Sequence, residues 1–208
     1  MRKLYRCYKR MFLVIKYLPL LLLLLLSFRQ FITIKKYIID DIYVWEHLQE
    51  IKTKRNVIFD LLQIFEERHF FRNLFYFRIK NLSILRLLRY IYKEERLFHI
   101  SHDTKIGSSP MLSHPFGSFL NANSIGNNVH ILHNVTIGFN GKDFRAPEIG
   151  NNVFVGCGAV IIGGISIGND VNIGSNSVIT KNVPSNCTVV GNPAIIVRLN
   201  GEKTNITL

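Results

Sequence analysis

Residues 125–184 read IGNNVHILHNVTIGFNGKDFRAPEIGNNVFVGCGAVIIGGISIGNDVNIGSNSVITKNVP. Ile or Val returns at intervals of six: Ile125, Ile131, Ile137, then Ile149, Val155, Ile161, Ile167, Ile173 and Ile179. Gly follows at 126, 138, 150, 156, 168 and 174. Four residues after most of these positions stands a second small or branched apolar residue, namely Val129, Val135, Val153, Ala159, Ile165, Val171 and Val183. Gly141 and Ser177 are the exceptions. A helix needs apolar spacing near 3.6 and a half-buried strand a spacing of two. A period of six fits neither, but it fits short strands that turn a corner every six residues and send one Ile or Val into a shared interior. Gly and Asn, frequent between the apolar positions, tolerate the positive φ of tight corners. Three faces close one triangular coil, and stacked coils bury one another.

Charge divides the chain unevenly. Residues 1–98 carry 20 Lys and Arg against 9 Asp and Glu; residues 99–208 carry 6 against 5. The basic half predicts an anionic partner. Cys7, Cys157 and Cys187 are too few and too scattered for a disulfide framework or a zinc site, and no metal is expected. The expected organisation is a membrane-associated segment over 1–39, a helical region over 40–98, the β-helix over 99–198 and a polar, frayed tail over 199–208.

Met11 to Phe28 is apolar apart from Lys16 and Ser27, with seven consecutive Leu from Leu20 to Leu26. Six Lys and Arg precede the Leu run, which would keep the N-terminus cytoplasmic. One crossing would export everything downstream, so a segment lying in, or dipping into, the inner face of the membrane is expected. From 40 to 97 the spacing predicts helices. Ile58, Leu61, Leu62 and Phe65 form one apolar face, and Leu82, Ile84, Leu85, Leu88, Ile91 and Tyr92 another. Arg72, Arg78, Arg86 and Arg89 alternate with aromatics there, but no RNA-recognition or helix-turn-helix signature accompanies them, so no nucleic-acid partner is expected.

Two breaks interrupt the period. Counting on from Leu112 reaches Ser118, whereas counting back from Ile125 reaches Phe119. The slip falls at His114-Pro115-Phe116-Gly117, where a side chain can be redirected. The second break is the polar loop Asn140 to Glu148, expected to project from the prism and to carry function.

Several motifs in order, over roughly residues 70–198, give the chain a likeness. They are Tyr76-Phe77-Arg78-Ile79, Thr104-Lys105-Ile106-Gly107, Leu112-Ser113-His114, Val135-Thr136-Ile137-Gly138, Asn140-Gly141-Lys142, Arg145-Ala146-Pro147-Glu148-Ile149-Gly150 and Val190-Gly191-Asn192-Pro193-Ala194. The chain resembles the hexapeptide-repeat acyltransferases, which are left-handed β-helices, and within them the serine acetyltransferase branch. The resemblance implies a homotrimer with active sites between subunits and acetyl-CoA as co-substrate. It implies His114 as general base on an acceptor hydroxyl, which suits an imidazole of pKa near 6.5. His133, beside the cleft, is the second choice. CoA contacts would come from Gly138, Asn140, Gly141, Cys157, Gly158 and Ser175, with Lys142 and Arg198 offering charge to the phosphates.

The chain also departs from the family pattern. Ser113 stands where the family has Asp, Ala146 follows Arg145 where it has His, and His99 falls where its base-orienting Asp would be. Ser113, Arg145 and His99 are therefore candidate acceptor-site residues whose chemistry differs from the family's. The basic, membrane-seeking N-terminus and these departures favour a sugar hydroxyl in surface-polysaccharide assembly as acceptor. The alternative is L-serine, for cysteine synthesis, and the lesser alternative a β-helix scaffold without catalysis.

Overall fold

The computed structural model describes residues 2–26, 35–44, 57–79, 85–141 and 144–208. The chain divides into two compact units, Met1–Glu94 and Glu95–Leu208.

The first unit is helical. Its elements are α1 (Arg2–Lys16), α2 (Leu18–Leu26), α3 (35–44), α4 (Val57–Glu67), α5 (His69–Arg78) and α6 (Leu85–Ile91). Aromatic rings fill its centre: Phe65 meets Tyr17, Phe75 and Tyr76 edge-on, with ring centroids 5.3–5.9 Å apart. Leu61, Leu62 and Phe65 bury the predicted face of α4, but Ile58 is exposed. On α6, Leu88 is buried, as is Tyr92 just beyond it, while Ile91 faces outward; Leu82 and Ile84 lie outside the described residues. Two of the arginines set among aromatics are spent internally. Arg72 donates to the carbonyls of Phe65 and Lys93, both at 2.8 Å. Arg78 grips Asp41 with two bonds of 3.0 and 3.1 Å, and both side chains are buried.

The second unit is a left-handed parallel β-helix of hexapeptide repeats. Its strands are β1 (Phe98–Ile100), β2 (Lys105–Ile106), β3 (Met111–Leu112), β4 (Ser118–Leu120), β5 (Ser124–Ile125), β6 (His130–Ile131), β7 (Thr136–Gly138), β8 (Glu148–Ile149), β9 (Phe154–Val155), β10 (Val160–Ile162), β11 (Ser166–Ile167), β12 (Asn172–Ile173), β13 (Val178–Ile179), β14 (Cys187–Val190), β15 (Ile195–Leu199) and β16 (Glu202–Thr207). Face A stacks β1, β4, β7, β10 and β13; face B stacks β2, β5, β8 and β11; face C runs from β3 through β6, β9, β12 and β14 to β15 and β16. The periodic residues form interior columns in register, Leu112–Ile131–Val155–Ile173–Val189 among them. Each buried Ile contributes about 1.5–3 kcal/mol relative to exposure, and the columns repeat that gain coil after coil.

The B-to-C corner shows why Gly follows Ile. A Cβ on Gly126 would lie 2.4 Å from the Gly150 carbonyl oxygen, and one on Gly150 would lie 2.6 Å from that of Gly168. Beside these glycines runs an amide ladder: Asn127 N–H donates to Asn151 Oδ1 (2.8 Å) and Asn151 N–H to Asn169 Oδ1 (2.7 Å).

Two expectations are corrected. The interior residue of β4 is Leu120, in register with Ile137, whereas Phe119 points outward. The C-to-A corner after Leu112 holds two residues more than a regular corner, and the edge from Leu120 to Ile125 is one residue short. The one-residue slip in the sequence is the difference of the two. The tail, expected to fray, forms β16 antiparallel to β15, with Ile196 opposite Ile206. Asn200-Gly201, both at positive φ, makes the two-residue turn between them. An Asn-Gly pair is a strong hairpin signal.

Candidate functional site

The C-to-A corner is a column of four stacked turns. Successive coils are linked there by backbone bonds: Asn134 N–H to the Phe116 carbonyl (2.7 Å), Gly158 N–H to His133 (3.0 Å), and Asn176 N–H to Cys157 (2.9 Å). Phe116, His133, Cys157 and Ser175 therefore occupy the same position on consecutive coils. Gly117, Asn134, Gly158 and Asn176, all at positive φ, follow them. The two extra residues fall in the turn 113–116, and they include His114 at φ 50°. A γ-turn bond from Phe116 N–H to the His114 carbonyl (2.7 Å) closes the insertion. His114 is thus lifted out of the repeating geometry and exposed, with the Phe116 ring centroid 6.4 Å from its own.

The floor under this turn is held by two serines. Ser118 takes the column position of Val135, and its Oγ accepts from Val135 N–H (3.0 Å). Ser113 Oγ shares a 2.8 Å hydrogen bond with His130 Nε2. His130 lies half-buried against the edge of Phe154 (5.1 Å between centroids), and this burial lowers its pKa below the ordinary histidine value. Ser113, the family's Asp position, is thereby engaged with a neighbouring coil. His130 falls outside every motif that the sequence singles out. Its contact was hidden because the irregular first coil sets 17 residues, rather than a whole number of repeats, between the two partners. Above, Cys157 Sγ–H donates to Ser175 Oγ (3.2 Å).

Other candidates sit at the opposite edge of face A. Gly138 closes β7 and accepts from Gly163 N–H (2.9 Å), and nothing lies within 4 Å of where its Cβ would stand. Asn140 and Gly141 begin the projecting loop, while Lys142 lies outside the described residues. Where the loop returns, Arg145 lies over Gly164, whose missing Cβ would be 2.7 Å from that of Arg145. Beneath the loop is a cavity of about 730 Å³ lined by Asp103, Asn123, Arg145, Glu148, Phe139 and Phe144 among others. Asn123 Nδ2–H donates to Glu148 Oε1 (2.7 Å) and fixes that carboxylate at the wall. His99, on the outer side of face A, stacks on Phe119 at 4.8 Å and 16°. Arg198 lies on β15 opposite Thr188, on face C and away from the C-to-A corner.

In one chain, then, Ser113, His114, His133, Cys157, Gly158 and Ser175 gather on one edge of face A. Gly138, Asn140, Gly141 and Arg145 gather on the other.

Residues 146–181 match the family described as bacterial transferase hexapeptide (six repeats). The chain is 47% identical over 104 residues to serine acetyltransferase 3, mitochondrial, of Arabidopsis thaliana, covering 49% of this chain and 26% of that protein. It spans between about a quarter and a half of the curated relatives it matches. Among solved structures, serine acetyltransferase of Neisseria gonorrhoeae superposes with a TM-score of 0.62 at 29% identity, covering 83% of this chain and 67% of that one. The enzyme of Brucella abortus strain S19 in complex with coenzyme A superposes with a TM-score of 0.57 at 27% identity, covering 82% and 69%. The chain is therefore similar, in repeat and in fold, to hexapeptide-repeat acyltransferases of the serine acetyltransferase branch.

Proposed function

We propose that this chain is an acetyl-CoA-dependent O-acetyltransferase with His114 as general base. The observation that carries the reading is the two-residue insertion that lifts an imidazole out of an otherwise regular coil, at the corner shared by His133, Cys157 and Ser175. In the step proposed, the His114 imidazole takes the proton of the acceptor hydroxyl as its oxygen attacks the thioester carbonyl carbon. The carbon–sulfur bond breaks, and the imidazolium returns the proton to the leaving CoA thiolate. The products are the acetyl ester and free CoA. Acetyl-CoA is a co-substrate here, and Gly138, whose side-chain space is open, admits close approach of a ligand to backbone.

The relatives named above act, by their names, on serine, and that supports L-serine as the acceptor. An arginine with two carboxylates, Asp103 and Glu148, around one cavity suits an amino acid's carboxylate and ammonium. A sugar hydroxyl is the second reading. Phe139 and Phe144, 5.8 Å apart beside the same cavity, offer apolar surface to a pyranose ring, and Ala146 withdraws the family's second imidazole. A homotrimer, with each site built from two copies, is the assembly this reading requires.

The test is thiol release from acetyl-CoA with L-serine and with a panel of sugars. His114→Ala is expected to lose roughly a hundred- to ten-thousand-fold in kcat, while His133→Ala loses far less. Unchanged turnover in His114→Ala would overturn the assignment of the base.

A further inference from the structure

We infer that α1 and α2 present an apolar stripe that seats this protein in the interfacial layer of an anionic lipid bilayer, lying in its plane. Seven large apolar side chains are exposed along these helices: Tyr8, Met11, Phe12, Ile15, Leu18, Leu22 and Leu25, from 48% exposed at Leu18 to 68% at Leu25. Counted from Tyr8 they fall at i+3, i+4, i+7, i+10, i+14 and i+17, which is one face of a helix. The opposite face, Leu13, Tyr17 and Leu20, is buried in the helical unit.

The stripe is continuous although the helix is interrupted. Pro19 has no N–H to give, which breaks the ladder. Tyr17 N–H still bonds the Leu13 carbonyl and Leu21 N–H the Tyr17 carbonyl, both at 3.0 Å, so the helical phase carries through. The roll of α1 is also fixed. Lys9 Nζ donates to Glu67 at 3.2 Å, and Lys16 Nζ donates to Glu66 at 2.6 Å, both on α4. These bonds hold the apolar face outward in the folded protein.

Lipid is the occupant the charge selects. The first 98 residues carry 20 Lys and Arg against 9 Asp and Glu, so the helical half that bears the stripe is strongly cationic. A second copy on this face would bring two such cationic surfaces together, whereas an anionic bilayer neutralises them. Among the described residues no helix is long and apolar enough to cross a membrane. An amphipathic helix with basic flanks therefore lies on the bilayer rather than through it. The inference stands apart from the acetyl-transfer reading, because no residue of the stripe takes part in it.

The test is flotation of the full chain with vesicles of phosphatidylcholine, alone or mixed with phosphatidylglycerol. The chain is expected to float with the mixed vesicles, and to bind pure phosphatidylcholine about tenfold or more weakly. The double variant Ile15→Glu with Leu22→Glu is expected to stay in the soluble fraction with an unchanged thermal melt, since both side chains are exposed. Leu25→Glu alone, near the end of α2, should lose about tenfold and serves if the double variant misfolds. Failure of the wild-type chain to float, or equal flotation of the variants, would overturn the inference. So would a smaller oligomer in the variants combined with no vesicle binding by either protein, which would assign the stripe to a second copy.

Discussion

At the scale of single residues, one half-buried and one buried interaction govern how the two units respond to perturbation. His130 is held neutral by burial, with a pKa below the ordinary 6.5. Its folded-state value is depressed, so its contribution is fully present above 6.5 and is lost as the pH falls from there toward the folded value. The melting temperature of the β-helix is expected to drop as pH is lowered below 6.5, and His130→Gln should flatten that part of the profile. A variant that follows the wild-type curve would show that another group titrates. In the helical unit, Asp41 is buried against Arg78. Removing one member of such a pair strands the other charge, so Asp41→Ala should cost roughly 3–5 kcal/mol, read from urea unfolding followed on the helical signal. Neither pair was legible in the sequence. Ser113 with His130 and Asp41 with Arg78 are 17 and 37 residues apart, and only the finished backbone brings them together.

At the scale of elements, the period of six carried most of the information. It placed one Ile or Val of every regular strand in the interior and located both interruptions, because each coil reads the same side-chain rule as its neighbours. Where the coil itself changes length the rule fails. Leu120 is the interior residue of β4 because its corner gained two residues and the next edge lost one, and a net slip of one cannot be resolved into those parts by counting. The glycines allow a sharper test of which corners are structural. Gly150→Ala would press a methyl group against the Gly168 carbonyl, with 2.6 Å between Cβ and oxygen. It should destabilise the β-helix by about 2 kcal/mol or more. Gly138→Ala meets nothing within 4 Å in the chain, so its melting temperature should stay at the wild-type value. If Gly138 borders the proposed donor groove, the same variant should raise the KM for acetyl-CoA with little change in kcat. Equal melting temperatures for the two variants would contradict the packing described for the B-to-C corner.

At the scale of the whole molecule, the arrangement of face A sets what one chain can do. The insertion bearing His114 lies on the C-to-A corner, and the loop bearing Arg145 leaves from the A-to-B corner on the other side of the same face. A rigid coil gives neither edge a way to fold back onto the other. The proposed reaction needs the base near the acceptor and the acceptor near a group that recognises it, so under that proposal the two edges come from different copies. This is testable without a further structure. His114→Ala and Arg145→Ala should each be weak when prepared alone, since every site in either oligomer lacks one of the two groups. Unfolded together in equal amounts and reassembled, the variants mix at random. About a quarter of the sites then receive His114 from one copy and Arg145 from its neighbour, and about a quarter of wild-type turnover should return. Reassembly of each variant by itself provides the control and should return none. If both groups served the same site from one chain, mixing could never unite them, and turnover would remain at the level of the separate variants. Recovery on mixing would therefore require both that the chain self-associates and that its catalytic edge faces a neighbour's loop.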